Sequence, residues 1–182
     1  KIAFNTISAS EFPNLYKEKG TGVGEFSREE FIDIFSYLTF SVSQEDSRPQ
    51  LTGVYIDSGS EGVNFVSTDG YRMSVKKTTT KETKIKDGLI VSVGLINEII
   101  SLKTEDLIKM FINKEENQII FVIGDAILIG RMIDGAFPDY KKVISSDALT
   151  TINFEREELL QCVKLASIFA KDSSNIATLE VT

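Results

Sequence analysis

The chain of 182 residues contains no histidine and only one cysteine. Without histidine, it cannot supply the Ser-His or Cys-His pairs of nucleophilic catalysis, or a histidine ligand for a metal ion. Any catalysis would depend on carboxylates, lysine, tyrosine or the lone Cys162. A single cysteine forms no internal disulfide and is typical of a reducing compartment, so we expect a cytoplasmic location. Cys162 lies in an apolar helical pattern and is expected to be buried.

Long apolar runs are also missing from the chain. A membrane-spanning helix needs about 18 apolar residues in a row, and we therefore expect no membrane association. The formal net charge of −7 argues against a wholly basic surface for nucleic acid but allows a local basic strip. The hydrophobic fraction of 42% is ordinary for a globular protein.

What the chain does contain is an internal repeat. Phe26–Phe35 (FSREEFIDIF) returns as Phe154–Val163 (FEREELLQCV), and Glu11–Tyr16 (EFPNLY) returns as Ala136–Lys141 (AFPDYK). The copies lie about 125 residues apart, which exceeds a solenoid unit and matches a small domain. The repeat predicts the end of one domain at 1–19, a complete domain at 20–143 and the start of another at 144–182.

Hydrophobic spacing and turn signals predict the secondary structure. Ser27 and Glu30 form a capping box that begins a helix. Helices are predicted at Arg28–Val42, Gly94–Lys103 and Arg156–Phe169. Strands are predicted at Lys1–Ser8, Leu51–Asp57, Val63–Thr68, Tyr71–Thr79, Gly88–Val91, Leu107–Ile112, Gln118–Ile123, Ala126–Ile133, Thr150–Phe154 and Ile176–Thr182. Inside 20–143 the order is strand, helix and three strands, twice over, which predicts an α+β fold of two similar half-units.

The segment Thr68–Met73 (TDGYRM) joins two predicted strands. Its Asp69-Gly70 pair is typical of a tight turn, and a turn alone would explain it. Alternatively, the Tyr-Arg-Met triplet beyond the turn offers an aromatic ring, a forked cation and a soft apolar group at one edge. Such a combination suits the docking of a peptide.

Two further segments have both a structural and a functional interpretation. Arg48–Gly53 (RPQLTG) leads into a strand, and Pro49 suits a strand entry. Gly130–Val143 (GRMIDGAFPDYKKV) is a strand running into a domain connector. In this connector, Pro138 and Val143 offer apolar surface beside the cation of Lys142.

Three motifs, in this order and spacing, resemble the bacterial DNA polymerase III beta subunit family, the sliding clamps. They are Arg48–Val54 (RPQLTGV), Ser67–Ser74 (STDGYRMS) and Gly130–Val143. The resemblance covers essentially the whole chain. It implies a DNA clamp fold of three such domains, each of two similar βαβββ half-units, with helices facing a ring hole and sheets outside. It also implies a homodimeric ring around duplex DNA, bound without sequence preference, with no enzymatic activity and no cofactor.

The resemblance further implies a pocket between the second and third domains. The pocket would bind short peptide motifs of the replicative DNA polymerase alpha subunit, the clamp loader, and other polymerases and repair proteins. Matched position by position, its residues are Leu51, Thr68, Gly70, Tyr71, Arg72, Met73, Pro138, Lys142 and Val143. Lys142 stands where the family often has arginine, and a lysine lacks the planar fork of the guanidinium.

Binding inside a ring needs cations that face phosphate, without base readout. The candidates, at predicted helix ends or inner loops, are Arg28, Arg48, Lys103, Arg156, Lys164 and Lys171. Each is alternatively a solvated surface charge, and the lysine-rich stretch Lys76–Lys86 is alternatively a solvated loop.

Two other functions stay open on the residues alone. An enzyme would use Asp57, Asp69 or Asp139 as acid–base or metal-binding carboxylates, but these lie in predicted turns and strand ends rather than in a cluster. A protein built from repeats could instead be an interaction scaffold with no DNA role.

Overall fold

The computed structural model describes residues 4–12, 20–59, 62–78, 85, 87–144, 150–171 and 176–180. The chain divides into two compact units, Lys1–Pro138 and Asp139–Thr182. The elements of the first unit are β1 (Thr21–Phe26), α1 (Arg28–Ser36), β2 (Gly53–Gly59), β3 (Gly62–Thr68), β4 (Met73–Thr78), β5 (Leu89–Ser92), α2 (Val93–Ser101), β6 (Ile108–Asn113), β7 (Gln118–Ile123) and β8 (Ala126–Arg131). The predicted order of strand, helix and three strands, twice over, is confirmed.

The strands of this unit form two antiparallel sheets, ordered β1-β6-β7-β8 and β4-β3-β2-β5. In the first sheet, β1 pairs with β6, with Phe26 opposite Ile108. In the second, β5 pairs with β2, with Ser92 opposite Gly53. Each half-unit therefore gives its first strand to the other half-unit's sheet, so neither half can complete its own sheet alone.

One hydrophobic core joins both helices to both sheets. The ring of Phe31 on α1 lies 4.4 Å from that of Phe35 and 6.1 Å from that of Phe121 on β7, measured between centroids. Ile96 and Ile99 of α2 are buried in the same core, and α1 contacts α2. Because burial of such side chains is the main favourable term in folding, this core holds the two half-units together.

The capping box at the start of α1 is confirmed: the Ser27 hydroxyl accepts from the Glu30 amide, and the Glu30 carboxylate accepts from the Ser27 amide. The predicted end at Val42 is wrong, since α1 ends at Ser36 and a 3-10 turn follows at Thr39–Ser41. The hydroxyls of Ser41 and Ser67 lie 3.1 and 2.8 Å from the Leu38 carbonyl oxygen. Both hydroxyls donate to this carbonyl oxygen, which would otherwise accept a hydrogen bond from the backbone amide of the next turn if the helix continued.

Three predicted strands outside the first unit's sheets are wrong in their described parts. Residues 4–8, 150–154 and 176–180 are not in strands. Their apolar side chains, such as Ile7, Phe154 and Leu179, are exposed. A strand needs a neighbouring strand for its backbone hydrogen bonds, and an apolar pattern alone does not provide one. The remaining residues of these predictions, 1–3 and 181–182, lie outside the described residues.

The helix of the second unit, α3 (Arg156–Ala170), begins at the repeated Arg-Glu-Glu sequence, as α1 does. The predicted burial of Cys162 is wrong, because the thiol is exposed. No residue of α3 is buried, since no strand among the described residues of this unit covers its apolar face. From the sequence repeat we expect the segment from Thr150 to superpose on the segment from Val23, and this stays a prediction.

Parts of several predicted segments lie outside the described residues. These parts are residues 13–19 of the predicted domain end at 1–19, residues 60–61 between the predicted strands Leu51–Asp57 and Val63–Thr68, and residues 79–84 and 86 of the lysine-rich stretch. Within the described ranges, no helix is both long enough and apolar enough to cross a membrane.

Candidate functional site

The turn between β3 and β4 is built from its own side chains. The Thr68 hydroxyl accepts a hydrogen bond from the Gly70 amide over 3.0 Å and donates to the Arg72 carbonyl over 2.8 Å. Gly70 has a φ of +95°, in the left-handed region that glycine adopts readily. The Asp-Gly pair therefore forms the predicted turn, and the next residues are presented at its far side.

The carboxylate of Asp69 organises the presented residues. One oxygen, Oδ1, accepts from the amides of Tyr71 and Arg72 over 2.9 and 3.0 Å. The other, Oδ2, pairs with Nε of Arg72 over 2.9 Å. The two backbone amides, that of Arg72 first, and then the Arg72 side chain hold the pKa of Asp69 below its ordinary value.

The presented side chains differ in exposure. Tyr71 is 96% exposed, and its ring is available to a partner. The guanidinium of Arg72 lies over the ring of Phe40, 5.6 Å from its centroid, in a cation–π contact. Met73 is half-buried at the start of β4. The turn thus offers an aromatic ring, a forked cation and a thioether within three consecutive residues.

The side chain of Arg48 lies beside this turn. A Cβ added to Gly70 would lie 3.4 Å from Nη1 of Arg48, so the Arg48 side chain adjoins the turn. The sequence did not predict this location, since Arg48 was expected among the DNA-facing cations at helix ends or inner loops. Leu51 ends a 3-10 turn and is only 2% exposed, so it does not line an open surface.

Pro138 lies at the end of the first unit and is exposed. The residue before it, Phe137, stacks on Tyr55 of β2, with ring centroids 4.7 Å apart and an angle of 4° between the planes. This stacking fixes the start of the connector on the second sheet.

Lys142 and Val143 belong to the second unit, and their side chains are exposed. Lys142 ends a 3-10 turn that begins at Tyr140, and its ammonium pairs with Asp139 over 3.0 Å. The hydrogen bond from the Lys142 side chain is the main cause that holds the pKa of Asp139 below its ordinary value. Convergence of these residues with Leu51, Tyr71, Arg72 and Met73 on one groove stays a prediction.

The six candidate DNA-facing cations have different surroundings. Arg28 and Lys103 line one open cavity of about 650 Å³ together with Ser27, Glu29, Thr104 and Glu105. The guanidinium of Arg28 donates to the carbonyls of Leu102 and Ile100 at the end of α2, whereas Lys103 is exposed. Arg156 pairs with Glu157, and Lys164 and Lys171 are exposed on and just after α3.

The described residues contain no group of three or more Cys, Asp or Glu side chains placed to hold a metal ion. The carboxylates of Asp69 and Asp139 are each engaged by a neighbouring cation.

The sequence of this chain is similar to those of known proteins. A family model described as DNA polymerase III beta subunit, central domain, matches residues 25–139, more than half of the chain. The chain is 28% identical over 171 residues to the beta sliding clamp of Chlamydia muridarum, covering 93% of this chain and 46% of that protein. It is 29% identical over 143 residues to that of Streptococcus pneumoniae, covering 78% and 38%.

Two solved structures show the same architecture. The DNA polymerase III beta chain from Streptococcus pneumoniae matches with a TM-score of 0.80 at 23% identity, covering 91% of this chain and 44% of that one. A sliding clamp from Bartonella birtlesii bound to griselimycin matches with a TM-score of 0.68 at 21% identity, covering 76% and 38%. At these identities the likeness shows the fold alone.

The two interlocked βαβββ half-units, with this likeness, define the fold as that of a DNA clamp domain. The chain belongs to the DNA polymerase III beta subunit family, and the matched residues correspond to its central domain. The family and fold class expected from the motifs are therefore confirmed. The chain spans less than half the length of the relatives described above.

Proposed function

We propose that the protein is the subunit of a non-enzymatic sliding clamp, in which two copies form a ring around duplex DNA and tether a DNA polymerase to it. The observation that carries the proposal is the preformed Thr68–Met73 turn on a clamp-domain fold. A ring that holds its partners through a peptide site needs a rigid framework and a preformed docking surface. The shared core of the two half-units supports the first requirement, and the ordered turn supports the second.

The proposed domain organisation is the end of a first domain at 1–19, a complete middle domain at 20–143 and the start of a third at 144–182. The family match to residues 25–139 lies inside the proposed middle domain. The end of the first compact unit at Pro138 falls close to the proposed boundary.

The proposed peptide site consists of Leu51, Thr68, Gly70, Tyr71, Arg72, Met73, Pro138, Lys142 and Val143, and we add Arg48 to it. A short peptide loses conformational freedom on binding, and a few buried anchors must compensate for this loss. Burial of one leucine or phenylalanine anchor contributes about 2–3 kcal/mol. The thioether of Met73 adapts to different side chains, which suits a site shared by a polymerase alpha subunit, a clamp loader and repair proteins. A relative that binds griselimycin supports a ligand site on this fold.

The proposed DNA contact is made by the helical side of the ring, without base readout. Lys103 is the stronger candidate of the pair at the α1–α2 end, because it is exposed while Arg28 already donates to α2 carbonyls. Arg156, Lys164 and Lys171 are proposed contacts from the start of the third domain. The overall charge of −7 fits an acidic outer surface with a modest inner basic strip, so the ring slides rather than sticks.

The experiment that tests the function is retention on DNA. Full-length protein, loaded by a clamp loader onto nicked circular DNA, should stay bound through gel filtration and should leave when the circle is linearised. Sedimentation at micromolar concentration should show a dimer. Equal loss from circular and linear DNA, or a monomer, would favour a scaffold without a DNA role. Metal-dependent nuclease or phosphatase activity of the purified protein would favour the carboxylate enzyme.

A further inference from the structure

Asp69 binds the two residues that the proposed peptide site presents and is itself largely covered. One carboxylate oxygen accepts hydrogen bonds from the amides of Tyr71 and Arg72, and the other accepts one from Nε of Arg72. The three donor–acceptor distances are 2.9–3.0 Å. Only 19% of the Asp69 side chain is exposed, against 59% for Arg72. The carboxylate therefore supports the turn from inside, and the guanidinium is the part that a partner can reach.

The guanidinium of Arg72 is held by a second contact as well. Its central carbon lies 5.6 Å from the centroid of the Phe40 ring. With Nε bound to Asp69 and the plane over Phe40, the side chain is restricted to one geometry. No described residue accepts a hydrogen bond from the two Nη nitrogens of Arg72, and these are the donors of a fork that fits carbonyl or carboxylate oxygens.

We propose that Asp69 is the positioning residue of the peptide site, and that it acts by fixing Arg72 so that both Nη groups stay available to an acceptor oxygen of the bound peptide. The inference rests on the proposed function. Its physical basis is preorganisation, since an arginine that is already ordered loses less side-chain freedom when the peptide binds. Tyr71 shares the effect, because its amide donates to the other oxygen of the same carboxylate, Oδ1.

The test uses full-length protein and a synthetic peptide of the Gln-Leu-x-Leu-Phe type in calorimetric titrations. Asp69→Asn retains an oxygen for the two amides but replaces the oxygen that pairs with Nε of Arg72 by a donor. We expect its affinity to fall about tenfold while the protein stays folded at the assay temperature. Asp33→Asn is the matched control, because Asp33 likewise pairs with a cation, Lys76, over 2.7 Å, and is not one of the proposed site residues. This control should bind the peptide as the wild type does.

A double-variant comparison separates positioning from a merely structural role. If Asp69 acts through Arg72, then Asp69→Asn combined with Arg72→Ala should bind no more weakly than Arg72→Ala alone. In nuclear magnetic resonance spectra, Asp69→Asn should broaden the Nε–H signal of Arg72 while the Tyr71 amide stays protected from exchange. Arg72→Lys keeps the positive charge, removes the forked donor and leaves Asp69 unchanged. It is therefore a second, independent test, and we expect a similar loss of peptide affinity.

The outcomes distinguish the two proposals. Wild-type protein that does not bind the peptide would overturn the proposed peptide site and this inference together. Wild-type binding with undiminished affinity in Asp69→Asn or Arg72→Lys would overturn the inference and leave the function standing. Additive losses in the double variant would also overturn it, because Asp69 would then act independently of Arg72.

Discussion

Arg28, the first residue of α1, donates from Nε to the carbonyl oxygen of Leu102, which follows α2, over 3.1 Å. Nη2 lies 3.5 Å from the Ile100 carbonyl oxygen. The last carbonyls of a helix have no partner within the helix and carry partial negative charge, so a guanidinium there satisfies both needs. The side chain of Arg28 thus joins the start of α1, in the first half-unit, to the end of α2, in the second half-unit.

This contact separates the roles of two neighbouring cations. We expect Arg28→Ala to lower the free energy of unfolding by about 1.5–3 kcal/mol, because partly buried carbonyls lose a charged donor. Lys103→Ala should leave stability unchanged, since Lys103 is exposed, and should lower the slope of log affinity for DNA against log salt by about 1. Urea unfolding and DNA titration at several salt concentrations check both. An unchanged salt slope for Lys103→Ala would remove it from the DNA contact.

Gly70 provides a test of the turn. At a φ of +95° an alanine is strained, and its Cβ would lie 3.4 Å from Nη1 of Arg48. We expect Gly70→Ala to destabilise the fold by roughly 1 kcal/mol or more and to weaken peptide binding. Gly94→Ala is the matched control, because Gly94 lies in α2 and its added Cβ meets nothing closer than Ser92 at 3.6 Å. Alanine in α2 should stabilise by about 0.4–1 kcal/mol, as thermal unfolding would measure.

Met73 tests the apolar part of the site. Met73→Asp replaces a half-buried thioether by a charge, and in full-length protein we expect it to abolish binding of the Gln-Leu-x-Leu-Phe peptide while the dimer persists. Lys142→Ala should weaken binding less, because Lys142 is exposed and pairs with Asp139. Lys77→Asp, at an exposed position of the same strand, is the control for added negative charge. Unchanged calorimetric affinity in Met73→Asp would exclude Met73 from the site.

The pKa of Asp69 gives a pH prediction. It lies below the ordinary value of 3.8 in the folded protein, so its contribution to stability is complete above that value and disappears as the pH falls through the lower folded value. We therefore expect the stability difference between wild type and Asp69→Asn to be constant near neutral pH and to shrink below about pH 4. Urea unfolding at several pH values checks this. A difference that grows on acidification would contradict the assignment.

Much of the structure of the first compact unit follows from local sequence. The capping box at Ser27, the apolar spacing of Phe31 and Phe35, and the Asp69-Gly70 turn each act within a few residues. For this reason the element order and the turn could be predicted from the residues alone. The end of α1 could not, because the hydroxyl of Ser67, 29 residues from Leu38, contributes to ending it.

The candidate site also contains some residues that local sequence predicted and others that it did not. The residues of the turn were found from a contiguous motif, whereas the place of Arg48 beside Gly70 was not. The DNA-facing candidates were chosen by charge and expected helix ends, and charge does not show that Arg28 already has carbonyl partners. The predicted burial of Cys162 is wrong, because the thiol is exposed. A helical pattern indicates which face of a helix is apolar, but it does not show whether another element packs on that face.

The sequence by itself determined the repeated order of elements, the turn chemistry and the family, because capping, periodicity and motif spacing are properties of neighbouring residues. Only the tertiary structure decided that β1 and β5 exchange sheets, that Arg48 adjoins Gly70, and that Arg28 joins α1 to α2. The physical reason is that hydrogen bonds and packing between distant segments depend on which surfaces meet after folding, and no local pattern specifies that pairing.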